Sequence, residues 1–405
     1  MRKFLRVVKN LILLALLVVS GIMIYRPLRE FHVVERLRYG LGGMGEQGWE
    51  EIARQEGTAS SAEEYYYGQL SDDLKEVYRE LYVRIMRYED AGPVFAQVNL
   101  DDFWKVYYGV LNDHPEIFWL GASAQVSESS LTGHIVSYEF ESIVPSEIRD
   151  DLREELEDAA DLCVNRIDPY ASDYEKIKFV YEYIIDQTEY GDAAMPDSQN
   201  IQSVLLNRKS VCAGYSRAFQ YILHRCGMFC TYLTGKIADG GDHGWNMVRL
   251  DGNYYFVDVT WGDPVFVNQE EGTSGDSSAR GINYNYLCCT AGDLYKTHIP
   301  DERVALPPCD RDDYNYYKLN NCYFETFSYD TVYSYLMNSV WNGEDSAVLK
   351  FGSREAFEQA ETEMFEGKLL NDAAQYLMQI NGVSRWNYRY HTDDDFYVIT
   401  LYWYS

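Results

Sequence analysis

The chain has 405 residues, 46% of them apolar, and a formal net charge of −29. That length points to two or three domains with real hydrophobic cores. That charge argues against nucleic acid and anionic lipid headgroups as partners, and it tolerates cationic peptides and amines. Tyrosine, at 37 residues, fills ordinary cores and also suits contact surfaces for peptides or polysaccharides.

The amino terminus places Arg2, Lys3, Arg6 and Lys9 before an uncharged run, LILLALLVVSGIMIY, from Leu11 to Tyr25. A basic start before an apolar run is an export signal. No A-x-A cleavage site follows, and no cysteine stands there for lipid attachment. Residues 1–27 are therefore expected to anchor the chain in the cell membrane, with Arg6 and Lys9 snorkelling and the body outside the cytoplasm. A cleaved signal, which would make the body secreted, is the alternative. Residues 28–60 contain the glycine-rich LRYGLGGMGEQGW and read as a flexible stalk.

Residues 61–145 read as a mainly helical lead-in. Leu74, Val77, Tyr78, Leu81, Tyr82, Ile85 and Met86 recur at helical spacing, a second helix is expected over 101–112, and strands over 117–120 and 134–140. Residues 146–300 are the densest part. Helices are expected over 145–167 and 174–188, then a helix from Cys212 and three strands. A polar loop, 268–282, follows. Residues 310–405 read as a small α/β domain, with helices over 329–341, 354–365 and 368–380 and strands over 347–351, 386–391 and 396–403.

The eight cysteines are too few for a disulfide scaffold in a chain this long. Whether Cys309 and Cys322 pair is left open by the sequence. In SVCAGYSRAFQYILHRCG, Cys212, Tyr215, Phe219, Ile222, Leu223 and Cys226 share a helical face, with Ser210 as the expected cap and Gly227 as the stop. Cys212 then sits in a first turn, where unpaired N–H groups and the positive helix end favour a thiolate. Taken alone, such a cysteine is as well read as a small apolar core residue.

The stretch HGWNMVRLDGNYYFVDVTW carries Asp251–Gly252 between apolar runs, which signals a two-residue hairpin. That turn puts Leu250 opposite Asn253 and, continued, Trp245 opposite Asp258 and His243 opposite Thr260. His243 and Asp258 become diagonal neighbours on one face, with Cβ atoms about 7–8 Å apart or less. A helix-start Cys, a strand-start His and a same-face Asp are the parts of an activated thiol. Trp245 and Trp261 flank them, as walls of a substrate channel or as core. His224, Cys226 and Cys230 do not make a zinc site, because no matching second ligand pair is spaced to complete it. No metal or cofactor is expected.

CAGYSRAFQYIL, HGWNMV and YYFVDVTWGDP resemble, in that order, the three signature blocks of the transglutaminase-like superfamily. The spacing from Cys212 to His243 (31 residues) and on to Asp258 (15 more) fits it. The resemblance covers about residues 170–300, and NYNYLCCTAGDLYKTHIPD resembles a stretch following the core in bacterial exported members. It implies an α+β protein whose core is papain-like, a nucleophile-bearing helix on an antiparallel sheet. It also implies a mechanism: Cys212 forms a thioester on a peptide or protein amide, His243 moves the proton, Asp258 orients the imidazole, and an amine or water resolves the thioester. The Cys212 N–H is the expected oxyanion donor, with Gln199 as a second. A cysteine protease or amidase on the same scaffold is one alternative. A cell-surface binding module without catalysis, contacting the wall or a protein, is the other.

Overall fold

The structure is a computed structural model that describes residues 45–191, 199–238, 240–263, 281–381 and 387–404. The expected anchor, and the polar loop apart from Gly281 and Ile282, lie outside these residues. Among the described residues, no helix is long and apolar enough to cross a membrane. The chain divides into two compact units between Glu154 and Glu155.

In the first unit, helix α1 (Gly45–Gln55) replaces part of the expected stalk. Its Trp49 and Ala53 are buried against Val83 of helix α2 (Asp72–Met86), and burying an indole outweighs the entropy the glycines retain. Helix α3 (Leu100–Asp113) starts at Asn99, whose side chain accepts from the Asp102 N–H. A three-stranded sheet follows, with β1 (Ala91–Pro93), β2 (Leu120–Glu128) and β3 (Ile135–Ser142) in the order β1-β3-β2. The lead-in is thus helices plus a sheet. β2 starts where the sequence reading ended its strand, because Ile117, Phe118 and Trp119 are buried in irregular chain. The strand itself runs through GASAQVSE, whose weak alternation gave no signal.

The boundary between the units falls within helix α4 (Arg149–Val164). Helix α5 (Asp173–Gln187) opens with a capping box, Ser172 with Glu175. Short strands β4 (Glu189–Tyr190) and β5 (Lys209–Ser210) pair in parallel around helix α6 (Ile201–Leu205). Helix α7 (Cys212–Arg225) then packs on an antiparallel sheet. That sheet contains β6 (Cys230–Ile237), β7 (Asp242–Leu250), β8 (Asn253–Val257) and β9 (His298–Pro300), in the order β8-β7-β6-β9. This is the expected α+β, papain-like arrangement.

Residues 310–405 have a core of their own, built on Leu336, Leu349, Phe357, Leu369 and Leu401. They belong to the same compact unit as the preceding sheet. Strands β10 (Tyr323–Phe324), β11 (Ser346–Phe351), β12 (Asn387–Asp393) and β13 (Val398–Tyr404) form a sheet in the order β10-β11-β13-β12. After the short helix α8 (Val259–Gly262), helices α9 (Tyr329–Trp341), α10 (Arg354–Glu361) and α11 (Leu369–Asn381) accompany them. The second of these helices is shorter than expected because a π turn takes over at Thr362–Glu366.

Candidate active site

Asp251 and Gly252 both have positive φ, +48° and +78°, the pairing a two-residue type I′ turn requires. The β7–β8 register is the one the turn dictates: Leu250 faces Asn253, Met247 faces Phe256 and Asn246 faces Val257. Beyond Val257 the chain leaves the ladder. Asp258 becomes the N-cap of the short helix α8 (Val259–Gly262), with its Oδ1 accepting from the Trp261 N–H at 3.0 Å. Thr260 therefore lies in a helical turn, not in a strand opposite His243.

The other carboxylate oxygen closes the site. His243 Nε2 donates to Asp258 Oδ2 at 2.7 Å. Both side chains are buried, with Asp258 at 0% exposure. His243 also makes a side-chain hydrogen bond with Cys212; with Nε2 turned to Asp258, Nδ1 is the ring nitrogen left for the thiol. Cys212 itself is half-buried. Burial opposes charge on His243, but the Asp258 carboxylate and Cys212 outweigh it and raise the pKa to about 10. Burial likewise opposes the Asp258 carboxylate, yet His243 and then His298 hold it well below the usual range.

Two features bolt the Cys212 helix to the His243 strand. Ser216, one turn beyond Cys212, donates from Oγ to the Gly244 carbonyl at 2.9 Å. Asn246 Nδ2 donates back to the Ser216 carbonyl at 3.0 Å. Gly244 has no room for a side chain: a Cβ there would lie 2.5 Å from the Tyr232 hydroxyl. The start of α7 differs from expectation. Val211 is its N-cap, without a side-chain cap bond, because Ser210 is buried on β5 with its Oγ 2.7 Å from Ser203 Oγ. Gly227 stops the helix as expected, at φ +72°.

Sequence reasoning missed His298. Its Nε2 donates to the same Asp258 Oδ2 at 2.9 Å, and only a short THIP segment marks it in the sequence. Trp245 is fully buried and packs edge-on against His298 at 5.1 Å, so it belongs to the core; Trp261, half-buried, also lies 5.1 Å from that ring. Gln199 is exposed, one residue before the α6 N-cap Asn200, outside the buried cluster. His224 spends Nε2 on the Cys230 carbonyl at 2.7 Å, and Cys309 and Cys322 are free thiols.

His243, Asp258 and His298 also converge as a possible two-histidine, one-carboxylate ligand set. Ligands around a tetrahedral zinc stand about 3.3 Å apart, given metal–ligand bonds of about 2.0–2.1 Å. The 2.7 and 2.9 Å separations are those of N–H···O bonds.

Residues 162–259 match the family model described as the transglutaminase-like superfamily. The chain is 31% identical over 106 residues to the kyphoscoliosis peptidase of Homo sapiens and 30% identical over 107 residues to that of Mus musculus; each match covers 22% of this chain and 16% of the relative. The chain thus spans about a sixth of the length of these curated relatives. Among solved structures, a TGase shares 16% identity over 40% of this chain and 48% of its own, with a TM-score of 0.25. A candidate cysteine protease of Cytophaga hutchinsonii shares 13% identity over 35% of this chain and 63% of its own, with a TM-score of 0.24. Through the core that bears Cys212, His243 and the strand leading to Asp258, this chain carries a domain of the transglutaminase-like superfamily.

Proposed function

We propose that this protein performs cysteine-dependent acyl chemistry on peptide or protein amides at the cell surface. The observation that carries the reading is the buried His243–Asp258 hydrogen bond behind a thiol that opens a helix and bonds to the same imidazole. Cys212 Sγ, as thiolate, adds to the amide carbonyl. His243 Nδ1–H protonates the departing nitrogen, the C–N bond breaks, and a thioester forms. His243, now neutral, takes a proton from an incoming amine or water, and the thioester resolves with return of the thiolate. Asp258 keeps the Nε2 proton in place through both steps. The Cys212 N–H belongs to a first turn without intrahelical acceptors and supplies one oxyanion donor.

The human and mouse relatives bear the name peptidase, which supports water as acceptor. The superfamily's transglutaminase character supports an amine. The surface location is supported by the basic cluster and apolar run of residues 2–25. The net charge of −29 favours lysine-rich proteins or amines over nucleic acid as partners.

The test compares the full-length protein with its Cys212→Ala variant on a glutamine-containing protein and a labelled primary amine. Cys212-dependent label incorporation identifies a transferase. Cys212-dependent cleavage or ammonia release without label identifies a hydrolase. Equal behaviour of the two proteins across several substrates overturns the enzyme reading in favour of a binding module.

A further inference from the structure

Asp258 serves two imidazoles. His298 is 1% exposed and stands on β9, the edge strand that pairs with β6 so that His298 faces Ile237. The approach is close because Gly235 lacks a side chain: a Cβ there would lie 2.2 Å from the Ile299 carbonyl oxygen. The rings of Trp245, Trp261 and Tyr286 box His298 at 5.1, 5.1 and 5.7 Å. Within that box its Nε2 meets Asp258 Oδ2 at 2.9 Å, beside the His243 bond at 2.7 Å.

The proton positions follow from the partners. An ionised carboxylate only accepts, so both Nε2 atoms carry hydrogens. On the far side of the ring, His298 Nδ1 lies 2.7 Å from Thr297 Oγ1. That hydroxyl is 3.3 Å from the Leu294 carbonyl and 3.3 Å from the Tyr286 hydroxyl. The Nε2–H reaches Asp258 whichever way the Thr297 hydroxyl is turned. The other titratable groups facing Asp258 are the Tyr181 and Tyr286 hydroxyls and the Cys289 thiol. Burial and the nearby carboxylate raise all three well above their ordinary pKa values, so they stay protonated.

We propose that His298 is a positioning residue: as an Nε2–H donor it locks the Asp258 carboxylate from behind, in the orientation that directs His243 at Cys212. The proposal rests on the reading of Cys212 as nucleophile. His298 itself touches neither the thiol nor the amide.

The test uses the full-length protein as wild type, His298→Leu, His298→Gln and Cys212→Ala. It reads the amide reaction, iodoacetamide alkylation of Cys212, and melting temperature. Leucine removes the donor, whereas glutamine returns an N–H near the Nε2 position. The expected result for His298→Leu is a fall in kcat of about 10- to 100-fold, as for loss of groups that orient a reactive shell, with KM unchanged. His298→Gln should recover most of that loss at a similar melting temperature. Glutamine no better than leucine in equally folded proteins overturns the proposal, as does full activity of the leucine variant. If neither variant folds, the wild-type imidazole spectrum in ¹⁵N-labelled protein decides. His298, assigned through ring-to-backbone correlations, should carry a proton on Nε2 that is hydrogen-bonded to the Asp258 carboxylate. An Nδ1–H tautomer with no proton on Nε2 overturns the proposal. A Cys212→Ala variant indistinguishable from wild type sinks the enzyme reading instead, and the spectrum still tests the anchor.

Discussion

Asp258→Asn keeps the side chain's shape and removes its charge. In the native site one oxygen accepts two imidazole N–H groups at 2.7 and 2.9 Å, and the other caps α8 at 3.0 Å. An asparagine has one acceptor oxygen. With that oxygen toward the histidines, its NH2 group faces the Trp261 N–H, donor against donor. With the oxygen toward Trp261, the NH2 group faces His243 Nε2, which must give up its proton to Nδ1 and become the wrong tautomer for deprotonating a thiol. Charge loss adds a smaller factor. His243 now titrates at about 10; without Asp258 a value near the free 6.5 would leave roughly a quarter of it charged at pH 7, and burial would leave less. The tautomer therefore dominates, and a loss of kcat on the order of 10³–10⁴-fold is expected. Stability should suffer far less. One mismatched buried bond costs about 1–3 kcal/mol, or a fall in melting temperature of roughly 3–10 °C for a unit of this size. The assay is kcat on a peptide amide beside calorimetric melting. Activity retained within tenfold would refute the orienting role, and a collapse of the melting transition would assign Asp258 to the fold instead.

Further outcomes follow from the same geometry. The pKa of His243 is raised in the fold, so its contribution to stability is complete below about pH 6.5. It is lost as pH climbs to about 10; the melting-temperature gap between wild type and His243→Gln should therefore shrink between pH 7 and 10. Asn246→Ala removes the bond to the Ser216 carbonyl. It should lower the urea-unfolding free energy by about 1–3 kcal/mol and slow Cys212 alkylation. Gly235→Ala drives a Cβ into the backbone of β9, so a loss of about 1–3 kcal/mol with reduced activity is expected, because His298 moves with that strand. The sequence left a Cys309–Cys322 pair open, and both are free thiols, so the wild-type melting transition should be insensitive to added reductant.

Much of the site was legible because it is built from short-range chemistry. Asp251–Gly252 admits one tight turn, and the turn sets the β7–β8 register, so the approach of His243 to Asp258 was readable over 15 residues of chain. Helix α7 was readable from its apolar spacing and its glycine stop, and the C-terminal helices and strands from theirs. What failed was settled by burial or by distant pairing. Tertiary packing of Trp49 turned a glycine-rich spacer into a helix, and the Ser203–Ser210 bond removed the expected cap. His298 stands 40 residues from Asp258, and only the seating of β9 against Gly235 of β6 brings them together. A local turn carries its register in its own φ angles; an edge strand's partner depends on the whole sheet being in place. The sequence alone thus picked out the cysteine, the imidazole and the acid that the fold brings together. The tertiary structure decided what holds the acid still.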